Sequence, residues 1–265
     1  MVPFSSSTKM PSAFTWMTMK YILSLTVMAG FLPLLILSAT PPGVQYHTLL
    51  TELEAVQNEI VAMHNTLRRN VVPPASNMLK MNWSEKAAQN ARIWSNNCEL
   101  RKSNALKRRI TNTFCGENIY LTSHLYSWSN VIGIWYNESK YFNYGDWSSV
   151  GGDETIDHYT QIVWATSYLI GCGIASCHER KSTRYFYVCH YCHEGNDPDK
   201  MNVPYNNGPP CGDCPKDCED KLCTNPCPYY DEQRNCKAKK RLQGCKHPSV
   251  QQLCKATCQC DTGIK

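Results

Sequence analysis

Sixteen cysteines among 265 residues constrain this chain more than any other feature of its sequence. A reducing cytosol rarely maintains so many thiols without metals, whereas secreted proteins convert them into disulfides. Ten of the cysteines lie between Cys211 and Cys260, and the other six are spread over residues 98–192. Both numbers are even, so each region can close its own disulfides.

The N-terminal residues also favour secretion. Residues 21–37 form an uncharged apolar run behind Lys20, and Ser38-Ala39 offers small residues for cleavage. This arrangement predicts a signal peptide over residues 1–39, in which residues 1–18 are an upstream extension because Met19 makes a cleaner start. The competing interpretation is an uncleaved anchor, although the run is close to the lower length limit for a span. We expect cleavage and no membrane span in the mature chain.

Apolar spacing divides the remaining chain into a regular part and an irregular part, with the boundary near residue 205. Helical spacing predicts three helices, which contain the segments 56–67, 87–94 and 128–135, and Ser84 is a candidate N-cap of the second. Period-two alternation predicts strands over 170–177 and 184–191, joined by a polar turn. Helices segregated around such a hairpin indicate an α+β or three-layer domain.

The C-terminal part has few apolar residues and no sustained periodicity. Residues 197–210 are rich in Pro, Asn and Gly, a composition typical of a linker or hinge. Ten cysteines in fifty residues indicate a small module held together by covalent cross-links. Zinc is the rival explanation for the Cys-x-x-Cys pairs at 189–192 and 211–214. Disulfides are favoured in a secreted chain, and a thioredoxin-like role lacks its βαβ context.

Residues 115–118 and 157–164 are dense in side chains that hydrogen-bond or bind metals. They contain Glu117 and His158, and Glu138 follows Trp135 by one helical turn along a largely buried face. In one interpretation these three residues satisfy one another as a structural network, because a buried carboxylate needs a partner. In the other they form a metal or acid/base site. Spacing favours the structural interpretation without excluding the second.

Other classes of function find little support in the sequence. There is no Gly-x-Ser-x-Gly elbow and no His-Glu-x-x-His helix, and a free cysteine nucleophile is not expected. We therefore expect neither an enzyme nor a cofactor. A net charge of +5 is too small for a typical nucleic-acid-binding protein.

Two surface features remain. The sequons at Asn82 and Asn137 predict N-glycosylation. A basic run is most simply a solvated surface, with an acidic glycan or a membrane face as the alternative partner; it consists of Arg101, Lys102, Lys107, Arg108 and Arg109.

Four motifs together carry a family resemblance. They are His-Tyr-Thr-Gln-Ile-Val-Trp at 158–164, Phe-Tyr-Val-Cys-His-Tyr-Cys-His-Glu-Gly-Asn at 186–196, Cys-Gly-Glu-Asn-Ile at 115–119 and His-Asn-Thr-Leu-Arg at 64–68. With them, the chain resembles the cysteine-rich secretory proteins of the CAP superfamily over residues 50–260, and most of all their epididymal, sperm-coating member. The segments 212–215 and 223–227 are similar to the hinge that precedes a ShKT-type domain in this family.

The resemblance implies a three-layer α-β-α sandwich, the CAP domain, at 40–205. A hinge at 206–226 and a ShKT-type cysteine-rich domain at 227–260 follow. The implied disulfides are Cys98–Cys177, Cys115–Cys192, Cys172–Cys189, Cys211–Cys218, Cys214–Cys223, Cys227–Cys260, Cys236–Cys254 and Cys245–Cys258.

The family's cleft usually holds two histidines and two glutamates and can bind zinc through the histidines. The residues that match are Glu117, Glu138 and His158. Lys102 stands where the other histidine is expected, and an ammonium group beside two carboxylates repels a cation. We therefore expect weak or absent zinc binding.

The resemblance further implies a secreted, non-enzymatic glycoprotein of the male reproductive tract. Such a protein coats the sperm surface and acts in sperm maturation, in egg recognition through an egg-surface receptor, and in fusion. The family segment tied to egg binding matches Phe186, Tyr187, Val188, Cys189, His190, Tyr191, Cys192, His193, Glu194, Gly195 and Asn196. Within it we expect His190, His193 and Glu194 to be exposed.

Two alternative functions stay open. The first is regulation of cation channels through the C-terminal domain, where a basic cluster could face an acidic channel vestibule; the cluster is Lys237, Lys239, Lys240 and Arg241. The second is hydrolysis in the CAP cleft, for which no activated nucleophile is visible.

Overall fold

A four-stranded sheet lies at the centre of the computed structural model, which describes residues 43–111, 113–150, 154–179 and 182–265. Its strands are β1 Asn82–Trp83, β2 Cys115–Thr122, β3 Leu169–Glu179 and β4 Ser182–Cys192. The strand order is β1–β3–β4–β2; β1 runs parallel to β3 and the other pairs are antiparallel. The predicted hairpin is confirmed as β3 and β4, each longer at both ends. The signal-peptide prediction falls on residues outside the described part of the chain.

Four helices flank this sheet. They are α1 Glu54–Arg69, α2 Glu85–Asn96, α3 Trp128–Tyr136 and α4 Asp157–Ile162. The three predicted helices are confirmed as α1 to α3, and the Ser84 side chain caps α2 by accepting a hydrogen bond from the Ala87 N–H. The six residues of α4 are too few to show helical periodicity.

The helix α2 packs very closely on one face of the sheet. Its residues Ala91 and Trp94 pack against Phe186 and Val188 of β4. A Cβ atom at Gly171 of β3 would lie 2.1 Å from a backbone nitrogen of α2, so only glycine fits there.

The opposite face carries the larger core, built with α1, α3 and α4. Ile60, Trp128 and Ile132 are fully buried there together with Tyr187 and Tyr191 of β4. The predicted three-layer α-β-α arrangement is thus confirmed.

A buried guanidinium ties α1 to this core. Arg68 is 1% exposed, and its nitrogens donate to the backbone carbonyls of Leu79, Ile162, Trp164 and Ala165. Burial lowers the pKa of Arg68 to about 9, so the side chain remains charged at neutral pH. Several hydrogen bonds offset the cost of burying that charge.

The C-terminal region consists of short elements joined by disulfides. They are β5 Cys218–Glu219, β6 Leu222–Cys223, α5 Cys236–Gln243, α6 Pro248–Leu253 and α7 Lys255–Gln259. Eight disulfides are formed in the whole chain, and they join the same eight pairs that the family resemblance implies.

The hinge, residues 206–226, packs directly onto the CAP domain. The Cys223 N–H donates to the Met78 carbonyl and the Lys80 N–H donates to the Cys223 carbonyl, each at 2.8 Å. Leu222 is completely buried in the larger core, and Tyr205 from the segment 197–210 is buried in the same core. The segment 197–210, whose composition is typical of a linker or hinge, has irregular backbone, but the buried Tyr205 side chain anchors it.

We expect Leu222→Ala to lower the free energy of unfolding by about 2–5 kcal/mol, because it removes a buried leucine from the CAP core. All tryptophans of the described chain precede residue 165, so their fluorescence during denaturation reports on the CAP domain. Leu242→Ala is the matched control, since Leu242 is 79% exposed and its loss should cost less than about 0.5 kcal/mol. An unchanged fluorescence midpoint in Leu222→Ala would contradict this packing.

Candidate functional site

The cleft is built around a buried carboxylate, Glu117 of β2. Its Oε1 accepts a hydrogen bond from the Ser103 N–H at 2.7 Å, and its Oε2 accepts one from the Ser103 hydroxyl at 2.7 Å. The register of β2 with β4 places His190 opposite Glu117, and His190 Nε2 lies 3.0 Å from Oε2. Both side chains are almost completely buried.

An arginine completes these surroundings. Arg108 places one guanidinium nitrogen 4.0 Å from Glu117 and the other 3.9 Å from Glu194. The Arg108 guanidinium also donates to the carbonyls of Cys115 and Ser103, which fixes its position. Glu117 is thus held by two donors from one residue, one imidazole and one nearby positive charge.

The protonation states follow from these contacts. Burial alone would raise the pKa of Glu117, but the hydrogen bond with His190 and the two hydrogen bonds from Ser103 lower it below its usual range. Burial lowers the pKa of His190, and Glu117 opposes this only in part. We therefore assign an ionised Glu117 and a neutral His190 whose Nε2 donates the proton, which leaves Nδ1 as an unprotonated atom without a protein partner among the described residues.

A second carboxylate–imidazole pair joins Glu138 and His158. Glu138 Oε1 lies 2.6 Å from His158 Nδ1, and Oε2 accepts from the backbone N–H groups of His158 and Tyr159. The imidazole ring stacks on the Trp135 indole with a centroid distance of 6.1 Å. Glu138 follows Trp135 by one turn, as predicted, but α3 ends at Tyr136 and Glu138 lies in the 3₁₀ helix that follows directly, Asn137–Tyr141.

The two pairs belong to different sides of β2. Successive strand residues point to opposite faces, so Glu117 faces α2 while Asn118 faces the larger core. The Asn118 amide donates to the His158 carbonyl at 3.0 Å and to the Tyr191 hydroxyl at 3.3 Å. The predicted network of Glu117, Glu138 and His158 is therefore correct for the last two residues, whereas Glu117 has other partners.

Lys102 lies at the cleft but does not pair with the carboxylates there. The side chain is exposed and lines the cleft, and it forms no ion pair among the described residues. The next residue, Ser103, supplies the contacts to Glu117 instead. The predicted place of Lys102 in the cleft agrees with this lining, whereas sequence reasoning missed Ser103, Arg108 and His190 as partners of Glu117.

Most of the segment matched to egg binding is inaccessible. Residues 186–192 are buried, because β4 is an interior strand with helices on both faces. The expected exposure of His190 is therefore wrong. His193 is half-buried, and Glu194 is exposed, with 52% of its side-chain surface accessible.

Glu194 stands between two depressions of the surface. One, of about 360 Å³, is the cleft that Lys102 and Glu117 line. The other, of about 530 Å³, lies between the end of β4 and the C-terminal region, where Arg109 and Tyr230 line it. Glu194 lines both, so it is the accessible carboxylate of the segment. Both sequon asparagines, Asn82 and Asn137, are exposed as well.

Possible metal ligands are sparse in the described part of the chain. The only three His, Cys, Asp or Glu residues whose donor atoms lie close enough to share an ion are Cys211, Cys214 and Cys223. Their sulfurs are in disulfides and so are not thiolate ligands. No helix among the described residues is long and apolar enough to cross a membrane.

Comparison with known proteins decides the family. The family model "Cysteine-rich secretory protein family" matches residues 61–191, and the model "Crisp" matches residues 211–265. Cysteine-rich secretory protein 1 of Macaca mulatta is 59% identical over 94% of this chain and 100% of its own length. The chain belongs to the cysteine-rich secretory protein family. Cysteine-rich secretory protein 3 of Homo sapiens is 48% identical over 83% of this chain and 89% of its own length.

Solved structures support the same fold for the CAP domain. Na-ASP-1 is 28% identical with a TM-score of 0.56, covering 69% of this chain and 51% of its own. NaASP2, solved with Zn²⁺, is 23% identical with a TM-score of 0.53, covering 65% of this chain and 96% of its own.

We expect the buried His64 to contribute to a pH dependence of stability. Its imidazole is buried between the Ile60 carbonyl and the Tyr191 hydroxyl, and burial lowers its pKa from 6.5 to about 4. Between these two pH values the unfolded chain binds the proton and the folded chain does not. Stability therefore falls as the pH is lowered through this window, by about 3 kcal/mol for this residue.

Denaturant unfolding at several pH values tests this in His64→Gln, which should lose less stability than the wild type between pH 6.5 and about 4. His124→Gln removes an exposed histidine and should follow the wild type. If the free energy of unfolding of His64→Gln and of the wild type fell equally with pH, the lowered pKa assigned to His64 would be contradicted.

Proposed function

We propose that this chain is an extracellular glycoprotein that coats sperm in the male reproductive tract and binds a protein receptor on the egg surface during recognition and fusion. A role in sperm maturation belongs to the same proposal. Family membership and the similarity to cysteine-rich secretory protein 1 support it. Eight disulfides suit an oxidising environment, and two exposed sequons suit a glycoprotein. The main support for placing the receptor-binding site here is the accessible position of Glu194 between two surface depressions.

Binding fits this cleft better than catalysis. The Ser103 hydroxyl donates to Glu117, so no imidazole activates it as a nucleophile. All sixteen cysteines are in disulfides and offer no thiolate. Hydrolysis therefore remains the less supported alternative.

We expect Glu194→Gln to weaken saturable binding of the labelled, full-length protein to eggs by at least about fivefold. Loss of a central contact in a protein interface typically costs more than about 1 kcal/mol. The substitution keeps the size of the side chain and removes only its charge. Glu219→Gln is the matched control, since Glu219 is an equally exposed carboxylate that pairs with Lys80 in the hinge. The full chain is required because the hinge is part of the CAP core.

Equal binding by Glu194→Gln and the wild type would remove Glu194 from the recognition site. A wild-type protein that shows no saturable binding at all would contradict the egg-receptor proposal itself.

Channel regulation is the second candidate, and the charge of the C-terminal domain favours it. Residues 227–265 contain eight basic and three acidic side chains. Within α5, Lys239 bonds to Gln233 and Lys240 donates to the Thr257 carbonyl, whereas Lys237 and Arg241 are exposed. A double Lys237→Ala, Arg241→Ala variant that alters sperm cation currents as strongly as the wild type would argue against this candidate.

We further propose that the cleft binds zinc weakly or not at all. Each oxygen of Glu117 already accepts a hydrogen bond from Ser103, and a metal ion would have to displace these donors. Arg108 lies 4.0 Å from the carboxylate, and its positive charge opposes a cation. Only Glu138 and His158 remain as a pair, which is fewer than the three or four ligands of a typical zinc site.

Calorimetric titration of the metal-free protein should therefore show no micromolar zinc site in the cleft. Lys102→His should not create such a site, because Glu117 keeps its donors. A micromolar site in the wild type that His158→Ala abolishes would contradict the proposal.

A further inference from the structure

The loop between α2 and β2 presents an apolar side chain among exposed cations. We call residues 101–109 the basic loop. Its Lys102, Lys107 and Arg109 are exposed, and Leu106 between them has 70% of its surface accessible. An exposed leucine is ordinary in isolation, but one surrounded by cations is typical of a surface that contacts lipid.

The charge of this loop is not balanced locally. Among the described residues Lys102, Lys107 and Arg109 form no ion pair, and the nearby Glu99 is engaged by Arg101. Arg109 instead lies over the Phe114 ring at 5.3 Å. The loop thus offers a positive surface that complements an anionic partner.

The loop is also held in a fixed shape. The Asn104 side chain accepts from the Leu106 N–H at 2.9 Å and caps the short helix Ala105–Arg108. Arg108 points inward, where it donates to the Cys115 carbonyl at 2.7 Å, and the Asn90 amide donates to the Arg109 carbonyl at 3.1 Å. Because the backbone is already ordered, Leu106 and Lys107 reach a partner with little further loss of entropy.

We propose that the basic loop is a peripheral docking site for membranes rich in anionic phospholipid. Leu106 enters the boundary between head groups and acyl chains, while Lys102 and Lys107 contact the head groups. A hydrated acidic glycan would pair with the cations but would not bury the Leu106 side chain. Anionic lipid does both, so it is the better match. Lys102 and Arg109 line the same depressions as Glu194, but this docking does not depend on the receptor binding proposed there.

Sedimentation with vesicles tests the proposal on the full-length, oxidised protein at physiological ionic strength. We expect the protein to pellet with vesicles made of equal parts phosphatidylcholine and phosphatidylserine and to stay in solution with phosphatidylcholine alone. Lys102→Ala and Lys107→Ala should each lower the partition coefficient about fivefold, which corresponds to about 1 kcal/mol per charge. Leu106→Ser should lower it by about tenfold or more, since a buried leucine side chain is lost.

Two matched controls should bind like the wild type. Lys216→Ala removes an exposed lysine of the hinge, and Val72→Ala shortens an apolar side chain that is 83% exposed elsewhere. Failure of the wild type to pellet with the anionic vesicles would overturn the proposal. Unchanged pelleting of Leu106→Ser would also overturn it, and heparin retention that depends on Lys102 and Lys107 would then identify an acidic glycan as the partner.

Discussion

The need to neutralise one buried carboxylate shapes the cleft of this protein. Glu117 lies inside the sheet layer, where an unpaired charge would be very costly. Ser103 from the loop after α2, His190 from the neighbouring strand and Arg108 together meet that need. His190 is consequently an internal partner, and both oxygens of Glu117 already accept hydrogen bonds. What remains accessible is the end of β4, where Glu194 faces solvent.

The spacing of apolar residues predicted the helices and strands of the CAP domain, but not which face of the sheet each helix covers. Alternation in β4 correctly predicted a strand, whereas the expected exposure of His190 came from the family segment and was wrong. The face of the sheet that carries His190 is covered by α2, which approaches so closely that β3 requires Gly171. The motif match also located Lys102 at the cleft but did not show that the side chain of its neighbour Ser103 turns inward to Glu117.

Composition did not show how the segment 197–210 and the hinge are anchored to the rest of the chain. Pro, Asn and Gly correctly indicated irregular backbone over 197–210, whereas Tyr205 and Leu222 show that an irregular segment can be anchored by a few buried side chains. Disulfides fix the hinge internally, and backbone hydrogen bonds dock it on the CAP domain. The C-terminal domain follows a hinge that is packed on the CAP core. A partner that binds this domain therefore binds a region connected to the CAP domain through that hinge.

The central claim is that a neutral His190 donates its Nε2 proton to an ionised Glu117. Nitrogen NMR of the imidazole in isotopically labelled protein tests it most directly, with the His190 signals assigned by their loss in His190→Gln. The account predicts a protonated Nε2, an unprotonated Nδ1 and a pKa of His190 below the ordinary value of a histidine, because the ring is buried. A His190 ring that titrates near 6.5, or that carries its proton on Nδ1, would contradict it.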